Sequence, residues 1–450
     1  MPVATATPLS LLAISDDTRG WVRVRGVSEA IRSWVRRRTS VPRDVIVLGV
    51  IAFNVAVGFG VVVPVLPVFA KSFEVTNFQV AMVVSAFAFM RLLMSPFCGR
   101  LADWLGERAT LAVGIFIVAI SSAVAGLSTS YEMLLLSRGL GGIGSAMFTV
   151  SAMTLLLKAA PPAMRGRAAG FFQSGFLIGG MTGPAIGGLL AAISITAPFF
   201  FYAGTLAVAG TIGLAMLSKP ERAAAGVARV AVRPMREVAA DPRFQAACMS
   251  NLAQGWNNFG VRNALVPLLA LMSLDRGPTQ TGYAFAIAAV VQTLALAPVG
   301  KFVDQVGRKP AMIAGGLLGA AVMAALPLVP SWWMFVVVLC LGGVSAAALG
   351  TAPAASVGDA AGAKSGTPVA VFSMFSDLGA IIGPLVAGWL ADTVSMTVGF
   401  AVGAALLALG SLVSVRMPGG VPTSDAAPAE TGAEPTDPPA ATLANPEDLR

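Results

Sequence analysis

Twelve stretches of about 20 residues run almost without charge along this chain. That is the length a helix needs to cross a hydrocarbon layer roughly 30 Å thick. The bilayer core offers the backbone no hydrogen-bond partners, so each stretch has to be helical. The stretches read as Val45 to Ala70, Phe78 to Cys98, Thr110 to Leu127, Met133 to Leu157, Ala168 to Ile193 and Ala197 to Leu217. After a charged connector come Phe244 to Leu274, Gly282 to Gly300, Ala311 to Val329, Trp332 to Ala354, Thr367 to Leu390 and Val394 to Val415. Only 12% of residues are charged, against roughly 25% in a soluble domain. The expected fold is an all-α integral membrane protein with twelve transmembrane helices. Residues 1–43 form a basic tail, 44–217 a first six-helix bundle, 218–243 the connector, 244–417 a second bundle and 418–450 a tail. The last segment is rich in Pro, Ala, Glu and Asp, a composition that favours disorder.

Of the 30 Lys and Arg residues, 25 fall on one side of this map, and only Lys71 and Arg276 fall on the other. Positive loops stay in the cytoplasm, so both termini are expected there, with the chain in the plasma (inner) membrane. The net charge of +8 is therefore an orientation signal, not a nucleic-acid footprint. In the basic tail, Trp21, Val27, Ile31 and Trp34 sit near helical spacing among arginines. That pattern reads either as an interfacial helix on anionic lipid or as a plain positive-inside tail. The first 30 residues hold no apolar core long enough for a signal peptide. Cys98, Cys248 and Cys340 are scattered and imply neither a disulfide framework nor a metal site. With no histidine in the chain, a transported proton has to ride on Asp or Glu.

Two cofactor-like strings fail on context. Gly139 to Gly144 spells Gly-x-Gly-x-x-Gly, but it lies in a spanning segment without the preceding strand that a dinucleotide site requires. Gly358 to Ser365 resembles a phosphate loop, yet Ala363 precedes Lys364 where glycine is needed. No cofactor and no metal are expected, and no nucleophile–base constellation suggests an enzyme.

The chain repeats itself at an offset of 200 to 201. Gly60 and Pro67 correspond to Gly260 and Pro267; Gly99, Asp103 and Gly106 to Gly300, Asp304 and Gly307; Gly179, Gly183 and Pro184 to Gly379, Gly383 and Pro384. Glycine and proline are costly in helices, so their recurrence at one shift marks two parallel halves. A pathway is expected between them near mid-membrane. Over about Pro42 to Met417 the chain resembles the major facilitator superfamily. The family's Gly-x-Leu-Ala-Asp-Arg-x-Gly-Arg-Arg loop is matched by Gly99-Arg100-Leu101-Ala102-Asp103-Trp104-Leu105-Gly106-Glu107-Arg108. It is matched again by Gly300-Lys301-Phe302-Val303-Asp304-Gln305-Val306-Gly307-Arg308-Lys309. The resemblance implies conformational-switch loops pairing Asp103 with Arg108 and Asp304 with Arg308, although Trp104 and Glu107 replace basic residues. Gly58, Pro64 and Pro67 in the first span resemble the twelve-helix drug:proton antiporters. So do Arg138, Gly142, Gly144, Ser145 and Ala146 in the fourth, with Gly141 where Gln is common. Gly179, Gly183, Pro184, Gly187 and Gly188 in the fifth match a motif associated with antiporters. That last string reads either as a helix bend or as small-residue packing.

A charge at mid-bilayer costs on the order of 2.5 to 3.5 kcal/mol even on permissive scales, so the few inside the spans need roles. Asp377 is the proton-carrier candidate, and Arg138 tunes a neighbouring acid or holds an anionic group. Arg91, one turn from Pro96, is read as snorkelling toward the interface. Asn251, Gln254, Asn258 and Arg262 recur at steps of three or four and are expected to share a cavity-lining face. Asn54, which matches Gln254 in the repeat, Gln173 and Gln292 are added to that set. The expected function is proton-coupled, alternating-access efflux of amphipathic small molecules by a monomer. The alternatives are uptake of a small metabolite, anionic or not, by a facilitator or proton symporter, and a non-transporting membrane sensor. The partners implied are a small-molecule substrate, protons and the lipid bilayer.

Overall fold

In a computed structural model the chain is described over residues 42–161, 164–218, 234–361 and 366–418. The amphipathic stretch around Trp21, half of the phosphate-loop-like string and the tail from residue 419 lie outside those residues. The described residues are helical, without strands. Eleven helices among them are each long and apolar enough to cross a membrane. In the first half these are α1 (Arg43–Val62, continued by Leu66–Lys71), α2 (Asn77–Leu105), α3 (Glu107–Gly126), α4 (Tyr131–Ala159), α5 (Arg165–Ile193) and α6 (Ala197–Met216). The second half holds α8 (Pro278–Gln305), α9 (Arg308–Ala325), α10 (Trp332–Ala361), α11 (Gly366–Thr393) and α12 (Met396–Val415). The twelfth pass, α7, is segmented. It runs through Pro242–Gln254, a π-helical stretch Gly255–Val261, Arg262–Ala264 and Val266–Leu274.

Helix ends follow local sequence. Thr76 and Gln79 form a reciprocal capping box on α2, and Ser130, Asp241 and Ser395 cap α4, α7 and α12, satisfying amides that a helix start leaves free. Gly106 and Gly307 of the loop motif adopt φ of 85° and 116°. Only glycine takes such angles without steric penalty, so the two copies turn alike. The motif's two arms belong to long helices: α2 runs to Leu105 and α8 to Gln305, beyond the expected limits at Cys98 and Gly300.

The sequence repeat reappears as matched packing. A Cβ on Gly60 of α1 would lie 3.0 Å from Gly183 Cα and 3.1 Å from Pro184 Cδ of α5; one on Gly260 of α7 would lie 2.8 Å from Pro384 Cδ of α11. Gly179 and Gly187 also lie flush on α1, against Phe53 and Val61. The α5 motif is thus a small-residue stripe that admits α1, as interhelical glycines do where no hydrophobic force drives helices together. Gly188 points to the other half, with Thr279 O 2.8 Å from its would-be Cβ.

The halves meet along two seams, α2 with α11 and α5 with α8. Among the described residues, the hydrogen bonds and ion pairs that cross between halves lie from mid-membrane to the end opposite the loop motifs. At that end both carboxylate oxygens of Asp392 on α11 accept first-turn amides of α2, Asn77 N at 3.0 Å and Phe78 N at 2.7 Å. Deeper in, Ser85 Oγ donates to Ile381 O at 2.8 Å, and Arg91 pairs with Asp377. On the other seam Thr293 Oγ1 donates to Met181 Sδ. Toward the loop motifs, Gly99, Gly170, Gly300 and Gly358 have open space where a Cβ would stand. The two bundles are closed at one end and parted at the end bearing the loop motifs.

Candidate functional site

Where the halves begin to part, a cleft of about 600 Å³, counting the space continuous with solvent, opens between α1, α2, α4, α7 and α11. Its walls are Phe59, Val62, Val63 and Leu66 of α1, Val84, Phe87, Ala88 and Arg91 of α2, Arg138 of α4, Asn263 of α7 and Ala380 of α11. Glycine makes the arginine pair possible. A Cβ at Gly142 on α4 would stand 3.0 Å from Met90 Cβ and 3.1 Å from Arg91 N, so only a glycine lets α4 approach α2 this closely. Arg138 then reaches over the ring of Phe87, its Cζ 4.6 Å from the centroid, an arrangement that attracts a cation to the ring face. Phe59 and Phe87 lie 6.0 Å apart by their centroids, tilted by 42°.

Arg91 does not snorkel. Its guanidinium bonds the Asp377 carboxylate across the seam, at the rim of the cleft. Both are partly exposed, Asp377 at 24% of its side chain and Arg91 at 35%, so water reaches the pair. It is the only ion pair between the halves among the described residues. On the α5/α8 seam no charge stands in the matching places: Gln292 answers to Arg91 and Leu177 to Asp377.

The polar face expected on α7 forms only in part. The π-helical turn is wider than an α-turn and rotates the residues after it about the helix axis, so regular spacing does not carry one face across it. It lies where α11 approaches most closely, with Gly379 against Trp256 N and Gly383 against Trp256 Cα. Asn251 donates to Phe372 O of α11 at 2.7 Å. Asn258 donates to Gln254 Oε1 at 2.6 Å, and both line a second cleft of about 270 Å³ inside the second half, with Asn257 and Ser345. Arg262 sits over Phe285, Cζ 4.9 Å from its centroid. Asn54 donates to Val50 O of its own helix, Gln173 is exposed on α5 and Gln292 packs beside Gly343. None of the seven lines the central cleft. Sequence reasoning missed Asn263, Phe59 and Phe87 there; Asn263 is polar within a span, and that signal was available.

In the loop motifs Asp304 lies close enough to Arg308 to act on its charge, but the direct bonds go to other partners. Asp103 and Asp304 are exposed. Arg108 donates to Leu214 O, and Arg308 pairs with Asp359 at the end of α10. In the first half Glu107 pairs with Lys158 at the end of α4. Glu107 matches Arg308 and Lys158 matches Asp359 at the offset of 201, so the two halves carry the same bond with its charges exchanged.

Two six-helix bundles related by a repeat, meeting around a mid-membrane cleft and parted at one end, define a multi-pass membrane transporter. The chain belongs to the Major Facilitator Superfamily, whose sequence profile matches residues 48–257 and again 252–445. It is 30% identical over 181 residues to the quinolone resistance protein NorA of Staphylococcus aureus, a match covering 40% of this chain and 46% of that protein. To multidrug resistance protein 1 of Bacillus subtilis (strain 168) it is 31% identical over 170 residues, 38% of this chain and 44% of that one. The match thus spans about half the length of either relative. Among solved structures, the fold is similar to a bacterial homolog of the human lysosomal transporter Spinster, inward-facing and unoccupied. That likeness has a TM-score of 0.64 at 17% identity, over 84% of this chain and 95% of that one. It is also similar to the nucleoside transporter NupG, with a TM-score of 0.67 at 15% identity, over 83% and 99%.

Proposed function

We propose that the protein exports amphipathic small molecules in exchange for protons. The observation that carries this reading is the Arg91–Asp377 bridge, which ties the halves together where the cleft opens. A proton on Asp377 removes the charge that holds Arg91. A hydrogen bond to a charged group contributes about 1.5–3 kcal/mol, enough to shift the balance between two states roughly 10- to 150-fold. Protonation at this one carboxyl therefore couples to how the seam between α2 and α11 opens and closes, and the pair's partial exposure gives the proton a route. The parted end carries the Lys- and Arg-rich loops, which supports a cytoplasmic opening with both termini on that side. The names of the two relatives, a quinolone and a multidrug resistance protein, support export of small amphipathic compounds.

Everted membrane vesicles test this. An exported compound accumulates in them when the lumen is acid, and the accumulation collapses with a protonophore. Asp377→Asn is expected to abolish gradient-driven accumulation while leaving equilibration intact. Uphill accumulation by that variant would overturn the assignment, and accumulation driven only by an alkaline lumen would reverse the direction.

A further inference from the structure

An ionised group away from water needs a counter-charge or a full set of hydrogen bonds, and an arginine stays protonated wherever it is placed. Arg138 has neither. It is 6% exposed, its Nε finds no acceptor among the described residues, and none of the ion pairs there includes it. Its described neighbours are the face of Phe87 and the phenol of Tyr202. The other cation of the cleft, Arg91, has its charge met by Asp377, and no Asp or Glu lines the walls. The cleft therefore presents one uncompensated positive charge, set beside two phenyl rings and five aliphatic side chains of α1 and α2.

We propose that the cleft selects molecules in which an anionic group, a carboxylate or its equivalent, is joined to an aromatic body. The anion bonds the Arg138 guanidinium, whose fork of donors matches a carboxylate, and the ring lies against Phe59 and Phe87. Permanent cations are disfavoured, because they would meet the same unshielded charge. This specificity rests on reading the cleft as the transport site and holds whichever way substrate moves.

Three probes of one shape test it on the purified full-length protein: 2-naphthoate, 2-naphthamide and trimethyl(2-naphthyl)ammonium. One charge-assisted bond implies that naphthoate binds at least about 10-fold tighter than the amide, with the ammonium weakest. Arg138→Gln is expected to erase the naphthoate–amide difference, while Arg138→Lys keeps part of it. Naphthoate that binds no better than the amide, or not at all, overturns the proposal. So does an anion preference that survives Arg138→Gln. If that variant does not fold, the three affinities of the unaltered protein and Arg138→Lys decide alone. Chloride competing fully at its physiological concentration would assign the charge to an inorganic anion and overturn the aromatic specificity. Flux in proteoliposomes separates this from the broader reading: no movement of any probe counts against transport through the cleft, whereas movement of the amide or ammonium in preference to naphthoate counts against the specificity alone.

Discussion

Asp392 closes the end of the molecule remote from the loop motifs, and the strength of that closure can be worked from its contacts. Its two oxygens take the amides of Asn77 and Phe78, while Thr76 takes that of Gln79. Asp392→Ala leaves the first two without their acceptors while that end is closed. When the end opens, water replaces the carboxylate, so the substitution penalises only the closed state. Loss of a capping side chain costs about 0.5–2 kcal/mol, and a carboxylate at a helix start contributes roughly 0.3–1 kcal/mol through the helix dipole. These describe overlapping parts of one interaction, so about 1–2 kcal/mol is a fair total. The closed-to-open ratio should then fall about 5- to 30-fold. Asp392→Asn, which keeps an acceptor oxygen and loses the charge, should fall between. Spin labels at Thr129→Cys and Pro330→Cys, exposed sites in loops at that end in a background without the three native cysteines, report the separation of the halves there. A longer-distance component that grows in the order unaltered, Asn, Ala is the expected result. Distance distributions that superimpose for all three, with melting temperatures unchanged, would refute the latch.

Arg91→Gln and Asp377→Asn share one bond, so the double variant should lose much less than the sum of the singles, with a coupling of about 1 kcal/mol or more in thermal stability; additive effects would mean the pair is incidental. Gly183→Val puts a side chain where a Cβ already stands 2.7 Å from Gly60 Cα, and the overpacking should cost about 1–3 kcal/mol, read as a fall in melting temperature. The same change at Gly99, where the Cβ meets nothing, should leave melting within a degree or two. Glu107→Lys places two cations together and should lower stability, whereas Glu107→Lys with Lys158→Glu should restore most of it; a double variant as unstable as the single would show that more than complementary charge holds α3 to α4.

The passes, the duplication and the glycine–proline matches were legible because each is a local property of composition or an equality at one shift. Gly60 meets Gly183, and Gly260 meets Pro384, as the repeat suggests. Features that depend on rotation about a helix axis were not legible. Arg91 and Asp377 are 286 residues apart, and nothing in either span's own pattern points to the other. The steps from Asn251 to Arg262 assumed 3.6 residues per turn, and the π-helical stretch between them broke that assumption. Asp392 was passed over because a carboxylate at the end of a span looks like ordinary surface; only the position of α2 makes it a cross-half contact. Conversely, Asp103 and Asp304 drew notice through a familiar motif, yet both are exposed with the halves parted at that end.

The exchanged polarity of Glu107–Lys158 and Arg308–Asp359 limits how the duplicated halves can be recombined. Replacing α4 with its counterpart α10 would face Glu107 with an aspartate, and the reciprocal graft would face Arg308 with a lysine. Each of these helix pairs is thus an inheritance unit: a hybrid assembled helix by helix sets like charges together at both seats, whereas one that moves α3 with α4, or α9 with α10, carries its own neutralising partner along.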